Sequence, residues 1–281
     1  MTTDPAATPA APARDVRDPF DRADETPRAA TRPWGEGVYR RRIHLRLDGR
    51  HASGELEDDF HHFRMELDHD DAEVTAVSGS GVRAPWTMCL TAGEPIQAVV
   101  GTALRTGPLA LGALDARANC THLFDLTGLV VTHAARGVDG DRVYDMAIDD
   151  PDPASARRHA RLWRDDELVL HWHLEDRIVL SPAEWTDAPL WSGFIPWADR
   201  HLDDDIGEAA VALRRACDIS RGRASDLDEM ESAAALGDLM SGICHSFQPG
   251  NAAVALRNRG SGRDFTERPE LLLADFDARR R

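Results

Sequence analysis

From residue 38 to residue 82 apolar and polar side chains take turns, and that alternation constrains the fold of this chain more than any other feature. Ile43, Leu45 and Leu47 alternate with Arg42, His44 and Arg46. A period of two puts successive side chains on opposite faces of a half-buried strand. Asp48-Gly49 follows as a turn signal. In the next run His61, Phe63, Met65 and Leu67 share one face, while His62, Arg64 and Glu66 share the other. The polar stretch Asp68-His69-Asp70-Asp71 turns the chain into a returning strand over 74–82. The pattern predicts an antiparallel β-meander.

Helical spacing then takes over. Residues 85–90 and 94–104 read as two short helices, and 106–118 as a connection of undecided structure. Asn119 is expected to cap a helix reaching about Ala135, closed by Gly137, with Leu123, Leu126 and Val130 as its buried stripe. Strand pattern returns after Gly140, and a hairpin is expected within 161–179, where Leu168, Leu170, Trp172 and Leu174 oppose Val169, His171, His173 and Glu175. From Ile195 onward the text is mostly helical, including 203–218 and 238–247. The fold class is therefore α+β: an antiparallel β-meander packed with helices, a second β-hairpin region and a helical C-terminal segment. One ordered domain is expected over 34–281, divided into a meander-and-helix core (34–137), a β region (138–182) and a mainly helical part (183–281).

Residues 1–33 are rich in Ala, Pro, Asp and Arg and read as a disordered arm. They lack the basic head and apolar block of a secretory signal, and no apolar run nears the roughly 18 residues of a membrane span. A cytoplasmic protein without membrane partners is expected. The net charge of −16 argues against a general nucleic-acid binder, which needs a basic face for phosphates. Assembly of identical chains is left open. All basic side chains but the histidines are Arg, because the sequence contains no lysine. Schiff-base lysines, Walker-type lysines and Ser–Lys dyads are thereby excluded. Gly-rich phosphate loops, nucleophile elbows, H-E-x-x-H and paired C-x-x-C motifs are absent as well.

The residues suited to chemistry are cysteines and histidines. Cys120 and His122 stand where a helix begins, and unpaired amides at a helix start favour a thiolate. His133 lies about 16 Å further along, too far to share an ion with His122. Cys89 follows the meander, and with Cys120 and His122 it would make a soft ligand set for zinc or iron with a fourth position open. Without a metal, Cys120 and His122 would act as a thiolate–imidazole dyad, with His61 as an acid or base lining the pocket. His61 is conspicuous because it falls on the apolar face of its strand. His171 and His173 are secondary metal candidates, since i and i+2 on a strand project to one face about 6.6 Å apart. Cys244-His245 is a weaker pair, and Cys217 reads as packing. The runs Glu57-Asp58-Asp59 and Asp203-Asp204-Asp205 read as solvated turns or a helix start, because neither has the alternating ligands of a calcium loop.

Tyr39-Arg40-Arg41-Arg42-Ile43, Pro85-Trp86-x-x-Cys89, the text from Ile96 to Gly101 and above all Cys120-Thr-His122-Leu-x-Asp125-Leu resemble an uncharacterised bacterial domain-of-unknown-function family. The resemblance covers residues 36–136 and continues more loosely through Cys244-His245-Ser-Phe-Gln-Pro. It implies association with aromatic or acyl-CoA catabolism. A fainter similarity is to the iron–sulfur assembly scaffold fold, which would place Cys89 at a first ligand position and Cys120 with His122 at a second. The chain departs from that pattern in lacking an early Cys-x-Asp loop and in placing Cys before His. The expected function is a small-molecule enzyme, of lyase or hydrolase type, acting on an aromatic or acyl substrate through Cys120, His122 and His61. The alternative is a non-catalytic metal- or sulfur-handling scaffold.

Overall fold

The computed structural model describes residues 34–112, 114–274 and 276, so the expected arm at 1–33 lies outside the described residues. The alternating segments form β1 (Val38–Asp48), β2 (His51–Asp58), β3 (His62–His69) and β4 (Val74–Arg83). The later ones form β5 (Gly140–Asp149), β6 (Arg157–Arg164), β7 (Glu167–Glu175) and β8 (Ile178–Ser181). The two expected β regions are halves of one eight-stranded antiparallel sheet, ordered β4-β3-β2-β1-β5-β6-β7-β8. The class is α+β.

The join is the β1–β5 pair, and charge matches its register. On one face Arg42 lies opposite Asp145 and Arg46 opposite Asp141. Arg42 Nε meets Asp145 Oδ1 at 2.7 Å and Arg46 Nε meets Asp141 Oδ1 at 2.5 Å. Opposite charges directly across a ladder stabilise the pairing. The other face is apolar and runs across both halves, through Leu56, Ile43, Tyr144, Leu162 and Leu170, all buried.

Two helices cover that apolar face. α1 (Thr121–Arg136) lies over β1–β3 and α3 (Asp204–Ile219) over β5–β7, with α2 (Phe194–His201) packed on α3. Leu123, Leu126 and Val130 are buried as expected. Gly54 of β2 lets α1 come close: a Cβ there would meet Val130 Cγ2 at 2.6 Å and Leu126 Cδ1 at 2.9 Å. Cys120, not Asn119, is the residue that precedes α1, with extended backbone and no side-chain cap bond. Gly137 closes the helix in the left-handed region at φ 63°, as its lack of a Cβ permits. Asp203 caps α3 by accepting from the amides of Asp205 and Ile206, so that acidic run is a helix start.

The C-terminal segment departs from the expected helix over 238–247. Short 3-10 turns at Ala233–Met240 and His245–Phe247 are separated by extended backbone at Cys244, and Gly237 and Gly242 have positive φ. Positive-φ glycines interrupt a continuous helix. The segment closes with α4 (Pro249–Ala252) and a 3-10 turn at Pro269–Leu271.

Candidate metal centre

The site is built on the turn between β2 and β3. Asp58 ends β2, and its Oδ1 accepts from the amides of Phe60 and His61, both at 2.8 Å. The Asp58 amide in turn donates to the His61 carbonyl at 2.8 Å. Aspartate favours this local turn because its short side chain reaches amides two and three residues on. The same Oδ1 meets His61 Nδ1 at 3.0 Å, so the turn fixes the imidazole as well as the backbone.

Asp58 is fully buried, and its Oδ2 takes three further bonds. Tyr39 Oη donates at 2.7 Å, Arg41 Nη2 at 2.6 Å and Arg41 Nε at 3.1 Å. Burial alone would raise this carboxyl, but the interaction with His61 and then the positive charge of Arg41 outweigh it and hold the group well below the usual carboxylate range. Burial likewise holds the Tyr39 hydroxyl well above its ordinary value, so it donates as a neutral phenol.

His122 arrives from the first turn of α1. Its ring stacks on His61 with centroids 3.6 Å apart and on Phe63 at 5.6 Å. Asp58, His61 and His122 are all buried, and one ligand atom from each lies within 4.8 Å of the others, so the group can hold a metal ion. His122 Nε2 is buried and has no hydrogen-bond partner, which is unusual for a buried imidazole. Burial, then the neighbouring His61 and Arg41, holds His122 well below its ordinary value. Burial also lowers His61, against the pull of Asp58. Both rings are therefore neutral near pH 7, the form that ligates metals.

The whole Glu57-Asp58-Asp59 run is buried, contrary to the expected solvated turn. Each carboxylate has its own guanidinium. Arg83 Nη2 donates to Glu57 Oε1 at 2.9 Å, Arg41 serves Asp58, and Arg223 pairs with Asp59. Arg223 also meets Asp150 and lies 3.7 Å from Asp264, so one guanidinium faces three buried acids. Burial pushes the Asp59 carboxyl up to about 7 against the pull of Arg223.

The expected Cys89, Cys120 and His122 centre is not what the structure assembles. Among the described residues the group within ligating distance is Asp58, His61 and His122, which contains neither cysteine. Side chains two residues apart do not face each other at a helix start, so the spacing of Cys120 and His122 does not bring thiol and imidazole to one centre. Cys89 Sγ instead contacts Ser246 Oγ at 3.1 Å. The thiols are not activated either. Burial pushes Cys89 up to about 12 and Cys120 well above its ordinary value, with the Cys89 and Cys244 thiols adding to the rise. The amides of His122 and Leu123 pull Cys120 down, as a helix start should, but desolvation wins. Cys244 belongs to this thiol neighbourhood through Thr121, and the His245 amide donates to the Asn119 carbonyl at 2.9 Å. Cys217 is buried in α3 as packing. His133 is buried at the far end of α1, its Nε2 3.2 Å from the Gly140 carbonyl. His171 and His173 sit on the opposite face of the sheet, away from α3.

A cavity of about 290 Å³ lies between α1 and α3, with Ile43 and Leu56 of the sheet lining it. Leu109, Leu111 and Leu114, from the connection whose structure the sequence left undecided, line it too. Its walls are mostly apolar, and its charged groups are Arg41, Asp125, Glu208 and Arg215. Arg215 Nε donates to Asp125 Oδ2 at 2.5 Å, and Tyr144 donates to Glu208. Arg41 belongs to both places: it lines the cavity and holds Asp58. No described helix is long and apolar enough to cross a membrane. No protein-family model matches the chain, and no curated protein is similar to it by sequence.

Proposed function

We propose that the chain is a small-molecule enzyme of hydrolase or lyase type, with a divalent metal ion, zinc or iron, on His61, His122 and Asp58. The observation that carries this reading is the orphaned His122 Nε2, buried beside a second imidazole whose other nitrogen is fixed by a carboxylate. One ligand atom each of Asp58, His61 and His122 lies within 4.8 Å of the others, so an ion shared by the three would take the place of the direct Asp58–His61 contact. An ion held there would lower the pKa of a bound water and polarise a carbonyl. The adjoining apolar cavity suits an aromatic or acyl group, in keeping with the aromatic or acyl-CoA catabolism that the sequence resemblance implies. Arg41 then has two tasks, keeping Asp58 ionised and presenting a positive charge to the substrate's polar end.

A second reading rests on Asp58 itself. Each of its oxygens already accepts several bonds, from Phe60, His61, Tyr39 and Arg41. An ion taking Asp58 as a ligand would have to displace one of these donors. In the metal-free version Asp58 orients His61, and His61 Nε2 works as a general base next to the cavity.

Metal analysis of the chain as purified, and after equilibration with zinc or iron(II), tests the proposal. One equivalent of ion fewer in His61→Ala and in His122→Ala than in the wild type, with none lost in Cys89→Ser and Cys120→Ser, supports the metal reading. No loss in either histidine variant overturns it. A metal-free protein that hydrolyses aromatic or acyl esters in a His61-dependent way supports the base instead.

A further inference from the structure

The second half of the sheet carries another group of imidazoles. β6 and β7 pair with His159 directly opposite His173 and Arg161 opposite His171. All four side chains point to one face, because i and i+2 share a face and directly paired residues do too. Their neighbours Arg158, Ala160 and Leu162 point the other way and are buried, with Arg158 Nη2 donating to the Cys217 carbonyl in α3. The histidines therefore stand on the face that α3 leaves uncovered, and His171 is exposed.

His171 Nε2 and His159 Nδ1 are 3.1 Å apart. Two ligands of a tetrahedral ion with metal–nitrogen bonds of about 2.0–2.1 Å are separated by about 3.4 Å. The His173 ring lies 4.7 Å from that of His159, tilted by only 16°. The three nitrogens do not converge as they stand, and His173 would have to turn about its own side-chain bonds to complete the set. The positive charge of Arg161 would oppose a cation, but Asp149 holds that guanidinium at 3.0 Å.

We propose that His159, His171 and His173 form a second site, separate from the Asp58 group, for a divalent transition-metal ion of the imidazole-preferring kind, such as zinc, copper or nickel. Two strands paired in register supply the rigidity that an isolated H-x-H lacks. The site faces solvent and is independent of the function proposed above.

Calorimetric zinc titration of the untagged full chain provides the test, with cobalt(II) absorption reporting the coordination geometry. A His61→Ala/His122→Ala variant should still bind one zinc. Adding His171→Ala or His159→Gln to it should weaken that binding about tenfold or more, since loss of a ligand costs at least as much as loss of its supporting partner. Should the double variant fail to fold, His171→Ala in the wild type must lower zinc stoichiometry by one. Zinc binding that survives both His159→Gln and His171→Ala unchanged overturns the proposal, and so does a His61→Ala/His122→Ala protein that folds and binds no zinc.

Discussion

His61 and His122 lie face to face with ring centroids 3.6 Å apart, one on the β2–β3 turn and the other in the first turn of α1. Two protonated imidazoles at that distance would repel in a buried place, so the stack persists only while at least one ring is neutral. Arg41 and Arg83, both buried nearby, bias the pair further against protonation. The same stack that leaves His122 Nε2 available to an ion also makes folding sensitive to acid.

The sign of that sensitivity follows from proton counts. Both rings titrate below the ordinary value of 6.5 in the folded chain, burial being the first cause. The unfolded chain then binds more protons below pH 6.5, and stability is lost as pH falls through that range. Asp59 acts oppositely. Its folded carboxyl stands at about 7 against an ordinary 3.8, so it favours the folded state below 3.8 and loses that advantage as pH rises to about 7. Urea unfolding of metal-free protein between pH 5 and 7.5 should show His122→Gln losing less stability toward acid than wild type. Asp59→Asn should lose less toward neutral pH. Identical slopes in all three proteins would contradict this assignment.

Thiol chemistry should be slow in the native protein. Cys89 stands at about 12, Cys217 at about 11, and Cys120 is held high by burial and its thiol neighbours. The thiolate is the reactive form, so alkylation at pH 8 should be far slower in the folded chain than in urea at Cys89, Cys120 and Cys217. Cys244 is half-buried and should react first. Rapid modification of Cys120 in folded protein, followed by mass spectrometry, would restore it as a nucleophile.

Much of this was legible in the sequence, and the remainder failed for identifiable reasons. Alternation located the meander, and His61 stood out because it sits in phase with Phe63, Met65 and Leu67. Arg41 carries the same signal, being in phase with Tyr39, Ile43, Leu45 and Leu47, all buried, yet a charged residue in a strand is easily assigned to solvent. The acidic run Glu57-Asp58-Asp59 was misleading because its partners come from afar: Arg83 ends β4, Arg41 lies in β1 and Arg223 follows α3. Local pattern carries no information about such pairings. The β1–β5 join is equally non-local, since alternation says which face of a strand is buried but not which strand lies beside it. At Cys120, local reasoning identified the helix-start effect correctly and missed the larger cost of desolvation.

Arg41 offers a direct test of that buried chemistry. Arg41→Met removes the guanidinium while leaving Asp58 fully buried with Tyr39 and His61. Breaking a buried ion pair from one side typically costs about 3–5 kcal/mol, because the surviving charge is left uncompensated. Adding Asp58→Asn should recover part of that loss in urea titrations at pH 7. A double variant less stable than Arg41→Met alone would show that Asp58 needs its charge for another partner.

Two glycines at the α1–sheet layer should respond in opposite ways. Gly54→Ala drives a methyl into Val130 and Leu126, at 2.6 and 2.9 Å, and overpacking of this kind costs about 1–3 kcal/mol. Gly128, inside α1, faces the cavity instead, with Leu111 Cγ 3.8 Å from an added Cβ. Alanine fits there in ordinary contact and should stabilise the helix by up to about 1 kcal/mol, the usual gain over glycine in a helix interior. Phenylalanine at the same place would project into the 290 Å³ cavity that adjoins Arg41. Gly128→Phe should therefore abolish binding of small aromatic or acyl ligands, read by fluorescence or calorimetry, while Gly128→Ala retains it. The Asp58–His61–His122 group is not among the residues lining the cavity, so its metal content should be the same in both variants. Undiminished ligand binding by a folded Gly128→Phe protein would place the substrate elsewhere and separate the cavity from the centre that Arg41 connects to it.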